Sequence, residues 1–448
     1  MEPEACAVDC SGKSSLEERT YSVKNGDDGK YLLGFVEFDD QGWFHDHSQQ
    51  QMLRAELARR AANPKEQFLV VVFAHGWFHN ASAADENVQN FRSLLERLDL
   101  MERAAAQTEP NKVKRTVVGV YLGWRGETLE IPVLKQALTF WSRMGAAERV
   151  GEGAAKQVLM ELNQFKCYAN GRGQPVKEPH LCQDTLVDAN HTQMVVIGHS
   201  FGGLAVYHAL RTEMMERTTW QWQAQDGSHP YAVSRSFGDL VLLVNPAFEG
   251  SAYEPLWRAS QSRCYSASQR PVMMVVTSKT DRATQLAFPL GRLYTLTQSA
   301  DQPGERAAVM ATVGHLDRYR TYDLSYREEG AEANRTVRPT SALTYTDFLA
   351  DAEALKALAA SPGVLGASPT SYGNATLARV SNADRQAEDN EPVKDRNPFL
   401  VVSADPTIVD GHGDIWNDRF VDFMRAFFVA EIRPTVPGTV QNPACSLY

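Results

Sequence analysis

The 448-residue sequence has no uninterrupted apolar run near the ~18 residues a membrane-spanning helix needs. Its longest strongly apolar stretch, Phe68 to Ala74, falls far short. It has no G-x-G-x-x-G or G-x-x-x-x-G-K-S/T segment, which leaves dinucleotide and P-loop phosphate binding without support. It has no CxxC pair, so no cysteine has zinc-ribbon spacing. His75 and His79 stand four apart, but the residue after His75 is Gly76 and not Glu, so the HExxH metalloprotease helix is missing. Basic residues are not in excess: 45 Lys+Arg face 55 Asp+Glu, a net charge of −10. That balance argues against nucleic acid or an anionic membrane as the main partner. The start, MEPEACAVDCSGKSS, is acidic and polar and lacks the apolar stretch of a signal peptide; a leader already removed would leave the same start.

What remains is ordinary for a globular protein, with 43% hydrophobic and 22% charged residues. The length allows one large domain with insertions, or two to three small ones. Six cysteines (Cys6, Cys10, Cys167, Cys182, Cys264, Cys445) are an even number. Cys167 and Cys182 flank a Gly/Pro-bearing segment and could close a loop. Scattered reduced thiols would give the same count, and the pattern tips localisation towards export, periplasmic or secreted, over the cytoplasm. His45-Asp46-His47 offers metal-binding side chains, but a solvated polar turn accounts for it better, and no metal site is expected.

Short β-branched runs alternate with helical patterns. Tyr31–Phe38 leads into a DDQGW turn and reads as an early strand pair. Phe68–Ala74 and Thr116–Leu122 are continuous and apolar, as strands buried on both faces are. Met194–Ile197, Leu240–Val244, Val272–Thr277 and Phe399–Ser403 follow. Between them, Asn90–Leu100 carries leucines at helical spacing, and 129–165 is helical in pattern. Alternation of this kind predicts an α/β fold with a mainly parallel sheet flanked by helices. Residues 30–430 read as one catalytic domain between tails at 1–29 and 431–448. Two intervals, 125–190 and 286–396, are too long for simple crossovers and read as insertions, with a cap over the sheet as one role and surface decoration as the other.

Chemistry concentrates at Gln193–Leu210, QMVVIGHSFGGLAVYHAL. A buried strand ends, Gly198-His199-Ser200-Phe201-Gly202 follows, and a helix begins. This is G-x-S-x-G in the strand–turn–helix setting of a nucleophile elbow, where glycines leave room for a turn that strains the serine backbone. Serine needs a base, and the base needs an acid. In the chain order Ser, acid, His, His412 fits best, on a loop after the last strand and before a final amphipathic helix. His315 lies in the long insertion and lacks that setting, which leaves it a pocket-lining or structural role. Asp281 directly follows the strand PVMMVVTS and is the expected acid, with Glu249 in the analogous place one strand earlier. Asp410 and Asp414 flank His412 and could orient it locally, though such residues more often serve the turn. Two backbone amides should form an oxyanion hole: that of Phe201, and that of Trp77 (or Gly76) in the loop AHGWFHN after an earlier buried strand. His75, Gly76, Phe78 and His199 flank these donors and are the expected substrate-binding residues. Trp124 and Trp141 are further candidates for an apolar pocket, or for the core.

The segments FAHGWFHN, YLGWRGET, VVIGHSFGG, VTSKTDRAT and DGHGDIWN together resemble an α/β-hydrolase of the esterase/lipase type over most of 30–430. That resemblance implies the eight-stranded hydrolase sheet, no cofactor and a Ser200–Asp281–His412 triad acting on a small-molecule ester. The sequence departs from the HGGG form of the oxyanion loop, since position 77 is Trp. Acyl transfer and amide or peptide cleavage would use the same triad, and a hydrolase fold serving as a non-catalytic binding module is the non-enzymatic alternative.

Overall fold

A computed structural model of the chain describes residues 15–23, 26–108, 112–125, 134–171, 191–220, 222–225, 229–232, 234–267, 269–327, 348–349, 364–365, 368–385 and 393–432. They group into two compact units. The first holds the described residues up to Gly198, with Ala205–Ala209 and 348–349; the second holds His199–Leu204 and the remainder from Leu210 onward.

The first unit is built on β1 (Leu16–Tyr21), β2 (Gly29–Phe38), β3 (Phe68–Ala74), β4 (Thr116–Trp124) and β5 (Gln193–His199). Their order is β1-β2-β4-β3-β5, with β1 antiparallel to β2 and the other pairs parallel. All seven residues of β3 are buried, the condition of a central parallel strand. Helix α1 (His47–Ala61) starts where the Asp46 carboxylate accepts the Ser48 N–H at 2.8 Å. The His45-Asp46-His47 triplet is therefore a helix start. Helix α2 (Glu86–Thr108) buries Phe91, Leu94, Leu95 and Leu98 on one face and packs on β2 and β4. Gly119 of β4 makes room for it, because a Cβ there would stand 2.3 Å from Leu95 Cδ1. Helices α3 (Leu134–Glu152) and α4 (Ala154–Gly171) form the described part of the first insertion; 126–133 and 172–190 lie outside the described residues.

The second unit places β8 (Leu240–Val244), β9 (Met273–Ser278), β13 (Phe399–Ala404) and β10 (Tyr322–Tyr326) side by side and parallel. Then β12 (Ala375–Arg379) and β11 (Thr370–Tyr372) follow antiparallel. A separate hairpin joins β6 (Trp222–Gln225) and β7 (His229–Ala232). Helices α5 (Phe201–Trp220), α6 (Gly250–Gln261), α7 (Phe288–Gly291) and α8 (Glu305–Met310) precede a last helix, Asp418–Glu431. Asn417 caps that helix, accepting the Phe420 N–H at 3.1 Å. The mixed α/β class with mostly parallel strands is thus present. Among the described residues no helix is long and apolar enough to cross a membrane, and no group of three or more His, Cys, Asp or Glu is placed to hold a metal ion.

Three expectations change. Tyr31–Phe38 does not form a hairpin across DDQGW, where only a Phe38–Phe44 bridge exists; its antiparallel partner is β1, upstream. Leu16–Tyr21 falls in the segment assigned to a tail, because Glu17, Glu18 and Arg19 hide the strand signal. Charge of this kind suits an edge strand, which must discourage further pairing. The described parts of 286–396 include β10, β11 and β12, which lengthen the sheet beyond β13 and so are not a cap. The helix-like stretch near 347–360 lies outside the described residues, except for 348–349.

Gly151 sets the contact of α3 with α5. A Cβ there would meet Ala205 O at 2.3 Å and Ala205 Cα at 3.0 Å, both backbone atoms that cannot swing aside. Gly151→Ala should lower the unfolding free energy by about 1–3 kcal/mol, read as a lower urea midpoint at unchanged slope. An unaltered midpoint would show that the two helices part at no cost.

Candidate active site

Ser200 is the single residue between β5 and α5, and its φ is 56°. A side-chain-bearing residue held in that left-handed region costs on the order of 1 kcal/mol or more. Three backbone hydrogen bonds hold it there. Its N–H donates to Val244 O at 3.1 Å, and its carbonyl accepts from Leu204 and Ala247 N–H, both at 3.1 Å. The sharp turn exposes the hydroxyl end of Ser200 to the loops after β9 and β13.

Ser200 Oγ lies 2.8 Å from His412 Nε2, and His412 Nδ1 lies 2.9 Å from Asp281 Oδ2. Asp281 is completely buried, whereas the His412 side chain keeps 29% exposure. Four donors converge on the carboxylate. The N–H groups of Ala283 and Thr284 reach Oδ1 at 3.0 and 3.2 Å, while the Thr284 hydroxyl (2.5 Å) and His412 reach Oδ2. Burial pushes the Asp281 carboxyl pKa up, but the bonds from His412 and Thr284 outweigh it and hold the group below the ordinary aspartate value. Glu249, the alternative acid, precedes α6 and pairs with Arg292 at 3.3 Å. His412 therefore meets Asp281 and not Glu249.

The loop carrying His412 is tied down by residues the sequence pattern does not single out. Asn245, fully buried at φ 46°, ends β8. Its Nδ2 donates to Gly411 O at 3.1 Å and His412 O at 2.8 Å, and its Oδ1 accepts the Ser278 N–H at 2.9 Å. Ser278 Oγ donates to Val409 O at 2.7 Å, and Thr280 Oγ1 donates to Asp410 Oδ1 at 2.8 Å while accepting the Gly411 N–H at 2.9 Å. Asp414 accepts the Asp410 N–H at 2.9 Å, so both flanking aspartates serve the turn. The available signal was the Asn-Pro pair closing LVLLV: asparagine tolerates left-handed backbone and carries both a donor and an acceptor.

His199, expected to bind substrate, donates from Nε2 to His412 O at 2.9 Å and so braces the loop of His412. Phe201, buried, is the first residue of α5, where helix amides have no acceptor within the helix itself. The loop of His75, Gly76, Trp77 and Phe78 belongs to the first unit. His75 is fully buried; its Nε2 accepts the Trp124 N–H at 3.1 Å, and its Nδ1 lies 2.9 Å from Gly76 O. The ring is sandwiched against Trp124 and Tyr121. Burial pushes its pKa down to about 4, so His75 is a neutral wall residue with both ring nitrogens engaged, not a substrate ligand. Trp124 is likewise core, donating from Nε1 to His75 O at 3.0 Å. Trp77 and Phe78 stack with centroids 4.3 Å apart, and Phe78 is exposed at φ 68°.

No known protein-family model matches this sequence, and no curated protein matches it either.

Two predictions follow from the network. Asn245→Ala strips buried carbonyls of their amide donor and should destabilise the protein by about 1–3 kcal/mol, measured by thermal or urea unfolding. Asp281 contributes stability that is complete above its unfolded pKa of about 3.9 and is lost as pH falls through its lower folded value. The stability gap between wild type and Asp281→Asn should then stay constant above about pH 5 and close below about pH 4. A gap independent of pH would contradict an ionised Asp281.

Proposed function

We propose that this chain is a serine hydrolase of carboxylic esters, built on the α/β-hydrolase arrangement. The observation that carries this reading is the unbroken line from Ser200 Oγ through His412 to Asp281, at 2.8 and 2.9 Å. Ser200 Oγ attacks the ester carbonyl carbon as its proton passes to His412 Nε2. Asp281 holds Nδ1–H and stabilises the imidazolium that forms. His412 then gives the proton to the departing alcohol, leaving an acyl-enzyme. Water, activated by the same imidazole, releases the acid and regenerates Ser200.

The strained turn at Ser200 supports the reading, because a residue kept at φ 56° at the head of a helix is the nucleophile-elbow geometry. Phe201 N–H is the expected first oxyanion donor; the role expected of Trp77 rests on the sequence alone. The substrate class is a small-molecule ester, and the net charge of −10 fits a neutral substrate better than nucleic acid. Cys167 and Cys264 each take part in a disulfide bond, which supports an exported enzyme, since such bonds persist in oxidising compartments.

Ser200→Ala should reduce hydrolysis of p-nitrophenyl esters by at least ~10³-fold and abolish labelling by an organophosphonate probe. Undiminished hydrolysis in the variant would sink the proposal. Amide substrates and competing alcohols in the same assay separate ester hydrolysis from amide cleavage and acyl transfer.

A further inference from the structure

We infer that His315, acting through the Thr284 hydroxyl, is a positioning residue for Asp281. This rests on the triad reading above and extends it beyond the three residues named there.

The Thr284 hydroxyl stands between two partners, Asp281 Oδ2 at 2.5 Å and His315 Nε2 at 2.8 Å. A hydroxyl has one proton to give. An ionised carboxylate can only accept, so the proton goes to Asp281, and His315 must donate to the oxygen lone pair from Nε2–H. Burial pushes the His315 pKa down, with Asp281 pulling it up and His412 pushing it further down. The imidazole is thereby kept neutral with one ring proton, which the hydroxyl directs to Nε2. Asp281 Oδ2 thus sits between two imidazoles, one bonded to it directly and one bonded through a hydroxyl.

The turn carrying His315 is built to stay in place. Val313–His315 is a single 3₁₀ turn whose Val313 N–H donates to Phe248 O at 3.2 Å and whose His315 N–H donates to Thr312 O at 3.1 Å. Gly314 presses on β9 so closely that a Cβ would stand 1.8 Å from Thr277 Oγ1.

Without a donor at 315, the Thr284 hydroxyl is free to turn towards a carbonyl three or four residues back, the usual alternative for threonine in a helical segment. Asp281 Oδ2 would then keep only His412. The completely buried carboxylate would lose one of its four donors, and its grip on the imidazole would change. His315 touches no reacting atom in this scheme; it fixes a hydroxyl rotor, which fixes the acid, which orients the base.

The test compares His315→Leu, His315→Gln, Thr284→Val and the Thr284→Val/His315→Leu double variant in the full chain. Leucine cannot donate, whereas the glutamine amide can. His315→Leu should lower kcat for ester hydrolysis on the order of threefold to tenfold, with KM within about twofold. His315→Gln should recover most of the loss, and His315→Leu should add nothing in the Thr284→Val background. The second readout is the downfield proton resonance of His412 Nδ1–H, assigned by its absence in His412→Ala. It should move in His315→Leu and Thr284→Val and return towards its original position in His315→Gln. An unmoved resonance with unchanged kcat in His315→Leu, in a variant that melts like wild type, would overturn the inference. Additive losses in the double variant would do so too. The resonance needs no turnover, so it judges this proposal even where Ser200→Ala leaves hydrolysis intact and the ester reading fails.

Discussion

A carboxylate removed completely from water has to be met by donors, and Asp281 is met by four. Desolvation alone would drive this group towards its neutral form, in which it could not hold a forming imidazolium. The donors reverse that tendency, and each constrains a different piece of chain. Ala283 and Thr284 amides fix the turn after β9, the Thr284 hydroxyl ties in the 3₁₀ turn at 313–315, and His412 ties in the loop after β13. The position of His412, and through it the hydrogen bond to Ser200, follows from satisfying one buried charge.

Asn245 is the neutral counterpart of that charge. It uses both ends of its amide, donating to the loop of His412 and accepting from the end of β9. Its immediate predecessor, Val244, accepts the Ser200 N–H. Two adjacent residues at the end of β8 thereby hold the turn of Ser200, the strand that precedes Asp281 and the loop of His412 in register. Both Ser200 and Asn245 have positive φ, so strain and restraint occur at the same place. A site assembled from strand ends needs such a tie, because each strand end is otherwise free to fray independently.

Much of this was legible in the sequence, and the limits have physical reasons. Buried parallel strands announce themselves by continuous apolar runs: β3 and β8 coincide with Phe68–Ala74 and Leu240–Val244. Ser200, Asp281 and His412 followed from a local turn signature and from chain order, both one-dimensional properties. Asn245, Ser278, Thr280 and Thr284 did not, because their partners lie up to 167 positions away and polar loop residues look alike until the fold brings them together. The edge strands β1 and β11, and β10 and β12 inside the latter edge, were missed since their short segments carry charged and polar residues that interrupt the apolar pattern. His75 misled because a His-Gly pair after a strand serves equally as a wall or as a contact, and only its burial between Trp124 and Tyr121 decides.

The sheet extension inserted between β9 and β13 has a consequence for biosynthesis. It separates Asp281 from His412 by 131 positions, and His412 stands 212 positions after Ser200. Closing so long a loop is entropically slow, though it adds little to the final cost. A chain still emerging from the ribosome therefore carries Ser200 long before His412, and the hydrogen bond between them has to wait until β13 has docked beside β9.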